Sequence, residues 1–225
     1  MQFLAVDSDI GTNVAVTYDG QILTYDNPVL PVSCIDDHGV DWLQSVNSAD
    51  SQYYLSENGS YLDLSFIITD VSVAKLILAD PSHEKSSIHV QIKDQTGTWF
   101  TIADIVPRIF GSTEIIDLTS YLPQLGSQIQ IRLYFTAQHE LDFIGLDTSP
   151  QENFILHNGR LILAFHSNDG LVTRKLATND GNYAELTPDQ QILLFYLLPT
   201  VGQNMKRTYI YVTRGRYHTI TSQNP

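Results

Sequence analysis

The sequence predicts an all-β protein built of sandwiched sheets, and three observations support this prediction. Apolar residues recur at every second position in most of the chain, the period of a strand with one buried face. Dipeptides that favour tight turns, such as Asp19-Gly20 and Asn58-Gly59, separate these runs. No stretch sustains the 3.6-residue period of an amphipathic helix. Many short strands joined by turns are typical of β-sandwiches.

Two hairpins are predicted in the first half of the chain. NVAVTYDGQILTY consists of two alternating runs joined by Asp19-Gly20. SIHVQIKDQTGTWFTIADIV repeats the arrangement, with Ile88, Val90 and Ile92 on one face and a second run that opens with Trp99. We expect Trp99 to lie in the core.

Further strand-length runs follow the same pattern. YLDLSFII and AKLILA precede the second hairpin, and QIQIRLYF follows it with strict alternation. In QIQIRLYF the alternation predicts an inward set of Ile129, Ile131, Leu133 and Phe135. RLILAF, QILLFYL and RTYIYVT are the main runs after TSPQEN, residues 148–153, where we place a boundary. The predicted domains are therefore 1–150, including the N-terminal hairpin, and 151–225.

The segment HELDFIGLDTS, residues 139–149, places acidic residues inside an apolar run. Its alternation fails unless one extra residue is inserted at Gly145, and glycine is a residue that β-bulges favour. With this bulge, Leu141, Phe143 and Leu146 point inward. Asp142 and Asp147 then lie together on the outer surface of the strand.

Composition limits the possible partners. Twenty-five acidic residues against twelve basic ones give a net charge of −13, which repels nucleic acid and anionic membrane surfaces. No apolar run is long enough to span a membrane, and the N-terminus lacks the features of a secretion signal. The single cysteine, Cys34, excludes an intramolecular disulfide and is expected to be a small buried side chain.

Two groups of acidic residues are candidate calcium ligands. Calcium takes six to eight oxygen ligands gathered from separate loops, so Asp142 and Asp147 could join loop carboxylates around one ion. IDDHGVD supplies Asp36, Asp37 and Asp41 beside His38. The alternatives are that the first pair is a solvated strand face and that the second group forms hydrogen-bonded turns.

The aromatic content favours ligand recognition over catalysis. Trp42, Tyr53 and Tyr54 fall in predicted loops, where aromatic rings can stack on the apolar side of a sugar ring. The alternative is that these rings are ordinary sheet residues. No nucleophile elbow, phosphate-binding loop or metalloprotease motif is present in the sequence. We therefore expect no enzymatic activity.

The stretch from about Ile35 to Pro150 resembles the galactose-binding-domain-like jelly roll of discoidin-type lectins and many carbohydrate-binding modules. YLDLSFII resembles its early strand, SIHVQIKDQTGTWFTIADI its central hairpin, and LDFIGLD its closing strand. The resemblance implies a jelly-roll sandwich that binds sugars through loops at one end and often holds structural calcium. It also implies a location outside the cell or at its surface.

The remainder, GLVTRKLATNDGNYAELTPDQQILLFYLLPT followed by KRTYIYVTRGRY, resembles a β-rich segment of bacterial surface proteins with FG-GAP-type repeats. Those segments commonly carry Gly-Asp where this chain has Pro188-Asp189. The resemblance implies a smaller C-terminal β-sheet extension.

These observations lead to three hypotheses about function. The first is a non-catalytic module that recognises carbohydrate through loops of the sandwich. The second is a structural, assembly or adhesion component that binds another protein. The third is a hydrolase or an accessory module of a glycoside hydrolase.

Overall fold

The computed structural model describes residues 1–69, 71–80, 86–108, 112–125, 128–178, 180–213 and 215, without the side chains of Asp80 and Gln124. Strands dominate the described residues, which contain a single α-helix, α1 (Thr173–Ala177). The predicted all-β class is therefore confirmed. Within the described part of the chain, no helix is long and apolar enough to cross a membrane.

The strands are numbered in chain order. They are β1 (Gln2–Asp9), β2 (Asn13–Val16), β3 (Ile22–Tyr25), β4 (Ser33–Asp36), β5 (Tyr54–Leu55), β6 (Tyr61–Ile67), β7 (Lys75–Asp80), β8 (Ile88–Lys93), β9 (Trp99–Ile105), β10 (Ser112–Asp117), β11 (Gln128–Phe135), β12 (Glu140–Leu141), β13 (Phe143–Asp147), β14 (Ile155–Asn158), β15 (Arg160–His166), β16 (Gly170–Leu171), β17 (Ile192–Leu197) and β18 (Met205–Val212). Short 3₁₀ helices occupy Leu43–Ser45 and Thr119–Gln124.

The chain forms two compact units. The sandwich unit is Gly11–Glu152, and the terminal unit combines Met1–Ile10 with Asn153–Pro225. Residues 1–10 belong to the terminal unit because β1 pairs with β14 on one side and β18 on the other. The predicted division into domains 1–150 and 151–225 stays a prediction.

Two antiparallel sheets form the core of the sandwich unit. The five-stranded sheet has the order β4-β6-β11-β8-β9, and the three-stranded sheet has the order β10-β7-β13. Side chains of both sheets meet in one apolar cluster, in which Leu64, Ile131 and Val90 come from the first sheet and Leu76 and Ile144 from the second. This two-layer arrangement is compatible with a β-sandwich, whereas the jelly-roll connectivity stays a prediction.

Alternation correctly identified the inner face of the five-stranded sheet. All four predicted positions of β11 are fully buried, as are Ile88, Val90 and Ile92 of β8. Both predicted hairpins also form, β2 with β3 and β8 with β9. Gly20 closes the first one with φ of 92°, a conformation that residues with a Cβ rarely adopt.

Trp99 does not lie in the core, so that expectation is wrong. The ring is half-buried, and the Arg132 guanidinium lies 4.6 Å from its centroid. Arg132 also lies 3.7 Å from the centroid of the Tyr61 ring and forms a bidentate ion pair with Asp63 at 2.6 and 2.8 Å. Arg132 belongs to the outward set of β11, so Trp99 packs on the outer face of this sheet.

The predicted bulge at Gly145 is also wrong. β13 pairs with β7 in continuous register from Phe143 to Asp147. The irregularity lies at Asp142, where the chain leaves β12, which pairs with β5, and enters β13. Glycine is needed at 145 for space, because a Cβ there would lie 2.6 Å from the Pro28 Cβ and 2.8 Å from the Phe143 Cζ.

The β2–β3 hairpin covers the second face of the three-stranded sheet. Ala15 and Leu23 of the hairpin pack against Ile77 and Ile115 in a small apolar cluster. The three-stranded sheet is therefore covered on both faces, by the main core and by the hairpin.

The terminal unit contains two three-stranded antiparallel sheets, β14-β1-β18 and β16-β15-β17. The buried Asp7 carboxylate of β1 accepts hydrogen bonds from Arg207 Nε at 2.6 Å and Nη2 at 2.7 Å. His157 Nε2 of β14 lies 3.1 Å from the same carboxylate. Asp7 therefore links all three strands of its sheet. The end of the KRTYIYVTRGRY segment, at Arg214 and after Gly215, lies outside the described residues.

Candidate binding cleft

A cleft of about 310 Å³ opens between the β2–β3 hairpin and the three-stranded sheet. The hairpin side contributes Asn13, Tyr25 and Asp26, and the sheet contributes Thr113 and Phe143. The other lining residues are small or apolar side chains, namely Pro28, Ser48, Ala49, Ile77 and Ala79. Its volume falls at the lower end of the roughly 300–1,000 Å³ typical of small-molecule sites.

Asp26 is the carboxylate among the residues that line this cleft. Its Oδ1 atom is buried and has no hydrogen-bond partner among the described residues. A buried carboxylate oxygen that accepts no hydrogen bond lowers the stability of the fold. The loss is typically about 1–3 kcal/mol, and it is larger when the group is charged. Because this oxygen has almost no exposed surface, a ligand hydroxyl or amide would have to displace neighbouring side chains slightly to donate a hydrogen bond to it and remove that cost.

A buried ion pair holds the Asp26 backbone in place. Lys75 Nζ lies 2.9 Å from Asp147 Oδ2, and both side chains are at least 97% buried. Asp147 Oδ1 accepts the Asp26 backbone N–H at 3.1 Å, and Lys75 also donates to the carbonyl oxygen of Thr24. The pair thus ties the end of β3, beside the cleft, to strands β7 and β13.

The phenol of Tyr25 is uncharged at physiological pH. Burial raises the pKa of its phenol, a hydrogen bond with Thr113 opposes the rise, and the negative charge of Asp147 adds to it. The ring also packs beside Phe143 against the apolar cluster of the hairpin. One wall of the cleft therefore combines an aromatic surface with uncharged hydroxyl groups.

The aromatic residues predicted for sugar binding do not form an exposed platform. Tyr54 is 3% exposed, which corrects the expectation that its side chain lies in an open loop. Burial raises the pKa of Tyr54 to about 12. The half-buried Trp42 ring meets Tyr54 edge to face at 5.2 Å and donates its Nε1–H to Asp36 at 2.9 Å. Of the three residues, Tyr53 has the most accessible ring, at 38% exposure.

The IDDHGVD segment forms a tight hydrogen-bonded turn. Asp36 Oδ1 accepts the backbone N–H groups of His38 at 2.9 Å and Val40 at 2.8 Å. Burial opposes ionisation of Asp36, but these bonds and the Trp42 bond outweigh it and lower the pKa of the carboxyl. Asp41 accepts the N–H of Leu43 at 2.9 Å. The turn chemistry considered as the alternative to metal binding is therefore present.

The structure separates the five predicted metal ligands. Among the described residues, one group of three or more acidic or histidine side chains has its potential ligand atoms within 4.8 Å of one another. This group is Asp36, Asp37 and His38. Asp142 accepts backbone N–H groups of Asp50 at 3.2 Å and Ser51 at 3.0 Å.

Asp147 does not lie on the outer surface, so that part of the prediction is wrong. It is 1% exposed because it faces the hairpin, which covers this side of β13. Lys75 already balances its charge, and Ser149 donates to both of its oxygens at 2.9 and 2.7 Å. A calcium ion shared by all five aspartates stays a prediction that this geometry does not favour.

Cys34 is fully buried in the main core, as the sequence indicates. Burial, together with the negative charges of Asp41 and Asp36, raises the pKa of its thiol to about 12. The side chain is therefore protonated at neutral pH and contributes packing rather than nucleophilic chemistry.

Sequence reasoning missed the residues that line the cleft. A local signal exists in TYDNP, where Tyr25, Asp26 and Asn27 precede Pro28 at the end of a strand. Such a cluster is typical of an ordinary turn, and nothing in it indicates that Phe143 and Thr113 lie nearby.

No family model matches the chain, and no curated protein matches it either. The resemblance to galactose-binding jelly rolls and to FG-GAP-associated segments therefore stays a prediction. The geometry of the cleft provides the basis for inferring function.

Proposed function

We propose that this protein is a non-catalytic binding module that recognises carbohydrate, or a similar polyhydroxylated ligand, in the cleft beside Asp26. The observation that carries the proposal is a cleft of about 310 Å³ lined by Asp26, whose buried Oδ1 has no hydrogen-bond partner among the described residues. Sugar hydroxyls donate hydrogen bonds to carboxylates, and the C–H face of a sugar ring packs on apolar and aromatic surfaces.

The composition of the cleft supports recognition of a neutral ligand with both polar and apolar sides. Asn13 and Thr113 offer an amide and a hydroxyl, while Phe143 and Pro28 offer apolar surface. Asp26 is the single carboxylate among the described residues that line the cleft. Glycoside hydrolysis normally uses two carboxylates, so this set favours binding without turnover.

A glycan array probed with the whole chain, followed by titration calorimetry on the best glycan, tests the proposal. A shallow cleft with few contacts should bind with a dissociation constant of about 10 μM to 1 mM, roughly −7 to −4 kcal/mol. Asp26→Ala should weaken binding about 10- to 100-fold, because a hydrogen bond to a charged group contributes about 1.5–3 kcal/mol.

Asp104→Ala is the matched control. The Asp104 side chain is 63% exposed on β9, and it pairs with His89 rather than lining the cleft. This variant should bind like the parent. Tyr53→Ala tests the alternative location in the loop: if it abolishes binding while Asp26→Ala does not, the cleft is not the site. Failure to bind any glycan on the array would refute carbohydrate recognition.

A further inference from the structure

The β16-β15-β17 sheet of the terminal unit presents an apolar face to solvent. Six large apolar side chains share this face by strand alternation and cross-strand pairing, with Leu163 opposite Phe195 and Phe165 opposite both Leu193 and Leu171. They are between 38% and 67% exposed. The terminal face is defined by these residues: Leu163, Phe165, Leu171, Leu193, Phe195 and Leu197.

The area of the terminal face suits a protein interface. Half of a leucine or aromatic side chain corresponds to roughly 100 Å², so the six together expose on the order of 600 Å². This is at the upper end of the largest apolar patches on monomers, roughly 300–600 Å². A stable interface buries about 800 Å² on each partner, of which about 65% is apolar in homodimers. The apolar area of the terminal face is therefore close to the apolar area that each partner buries in a stable homodimer interface.

The distribution of charge favours a second copy of the chain as the partner. The sandwich unit contains nineteen acidic and five basic residues, whereas the terminal unit contains six acidic and seven basic residues. The strand segments 161–165 and 192–197 carry no charged residue. Two copies repel each other through their acidic sandwich units, but they can approach through their nearly neutral terminal units.

We propose that two copies of this protein associate through the terminal face in a symmetric dimer. A two-fold axis brings the same patch of both copies together, so each exposed leucine and phenylalanine gains an apolar partner. Arg160, opposite Leu197 at one end of the face, lies at the rim of the interface. This assembly does not depend on the ligand proposed for the cleft.

Sedimentation velocity of the whole chain between about 1 and 100 μM tests the dimer. We expect a concentration-dependent shift from the 25.3 kDa monomer to a species of twice that mass. Phe195→Asp should weaken the dimer at least about 30-fold, the effect of losing a central interface residue. Raising the salt concentration from 50 to 500 mM should leave the dimer intact or strengthen it.

Two further variants keep the test decisive if Phe195→Asp does not fold. Leu171→Asp changes a residue that is 67% exposed on the terminal face, and Ile67→Asp changes one that is 61% exposed in the sandwich unit. Leu171→Asp should weaken the dimer, and Ile67→Asp should not. A monomer at 100 μM, aggregates without a defined dimer, dissociation in high salt, or equal effects of these two variants would each overturn the proposal.

Discussion

The buried Lys75–Asp147 ion pair offers the sharpest test of how the hairpin is held on the sheet. Lys75→Met keeps a similar length of apolar side chain but leaves the Asp147 charge without its cation. Both side chains are at least 97% buried, so solvent cannot replace the lost partner. Breaking one side of a buried pair typically costs about 3–5 kcal/mol, a large part of a total stability of about 5–15 kcal/mol.

The double variant Lys75→Met/Asp147→Leu separates the ion pair from the packing around it. Removing both charges leaves no buried ion, and the main remaining costs come from two backbone groups that lose their partners, the Asp26 N–H and the Thr24 carbonyl oxygen. An unpaired buried N–H costs about 1–3 kcal/mol. We therefore expect the double variant to be destabilised by well under the additive sum of about 6–10 kcal/mol.

Urea unfolding followed by tryptophan fluorescence measures these changes. Both tryptophans, Trp42 and Trp99, lie in the sandwich unit, so the signal reports on that unit alone. Asp104→Leu is the control for a carboxylate-to-leucine change and should cost less than about 1 kcal/mol, because exposed ion pairs contribute little. A cost below about 1 kcal/mol for Lys75→Met, or additive effects in the double variant, would refute this account.

Three further predictions follow from particular contacts. The Arg207 hydrogen bonds lower the pKa of Asp7 below 3.8 despite its burial, and His157 adds to the shift. Asp7 therefore stabilises the fold above about pH 3.8, and this stability is lost as the pH falls through the lower pKa of the folded state. Circular dichroism melts between pH 2 and 5 should show a weaker acid dependence for Asp7→Asn; an equal dependence would assign the effect to other carboxylates. Gly145→Ala should lower the melting temperature and reduce the free energy of unfolding by about 1–3 kcal/mol, because the added Cβ lies 2.6 Å from the Pro28 Cβ. An unchanged melting temperature would mean that this contact relaxes freely. If calcium binds at the Asp36–Asp37–His38 group, calcium at 100 times its dissociation constant should add about 2.7 kcal/mol of stability, and Asp37→Asn should remove most of that gain. Identical melting curves with calcium and with chelator would mean that the group is only a hydrogen-bonded turn.

Local pattern was sufficient to predict many of the strands and the inner face of the main sheet, but it missed others, among them β1 and β14. The alternation of β11 placed its four apolar residues inward, and Asp19-Gly20 fixed the first hairpin, because strand period and turn conformation depend on neighbouring residues. The same reasoning anticipated the burial of Cys34.

The errors all concern which face of a strand is covered, and by which segment. The predicted bulge at Gly145 placed Phe143 inward and Asp147 outward, but the continuous register of β13 puts both on the same face, and the sequence cannot show what covers that face. The β2–β3 hairpin, more than one hundred residues earlier in the chain, covers it, and the expected surface aspartate therefore becomes half of a buried ion pair. Trp99 is the opposite case: its aromatic character suggested the core, but a cation from a strand of the same sheet holds it on the outer face.

The sequence by itself determined the all-β class, the hairpins and the acidic charge of the chain. The tertiary structure decided where a ligand could bind, because the cleft unites Asp26 of the hairpin end, Ser48 of a loop and Phe143 of the three-stranded sheet. It likewise decided that one apolar face of β15 and β17 is exposed to solvent, although their sequences resemble those of buried strands. Strand period is a property of adjacent residues, whereas clefts and exposed faces depend on which distant segments lie against them.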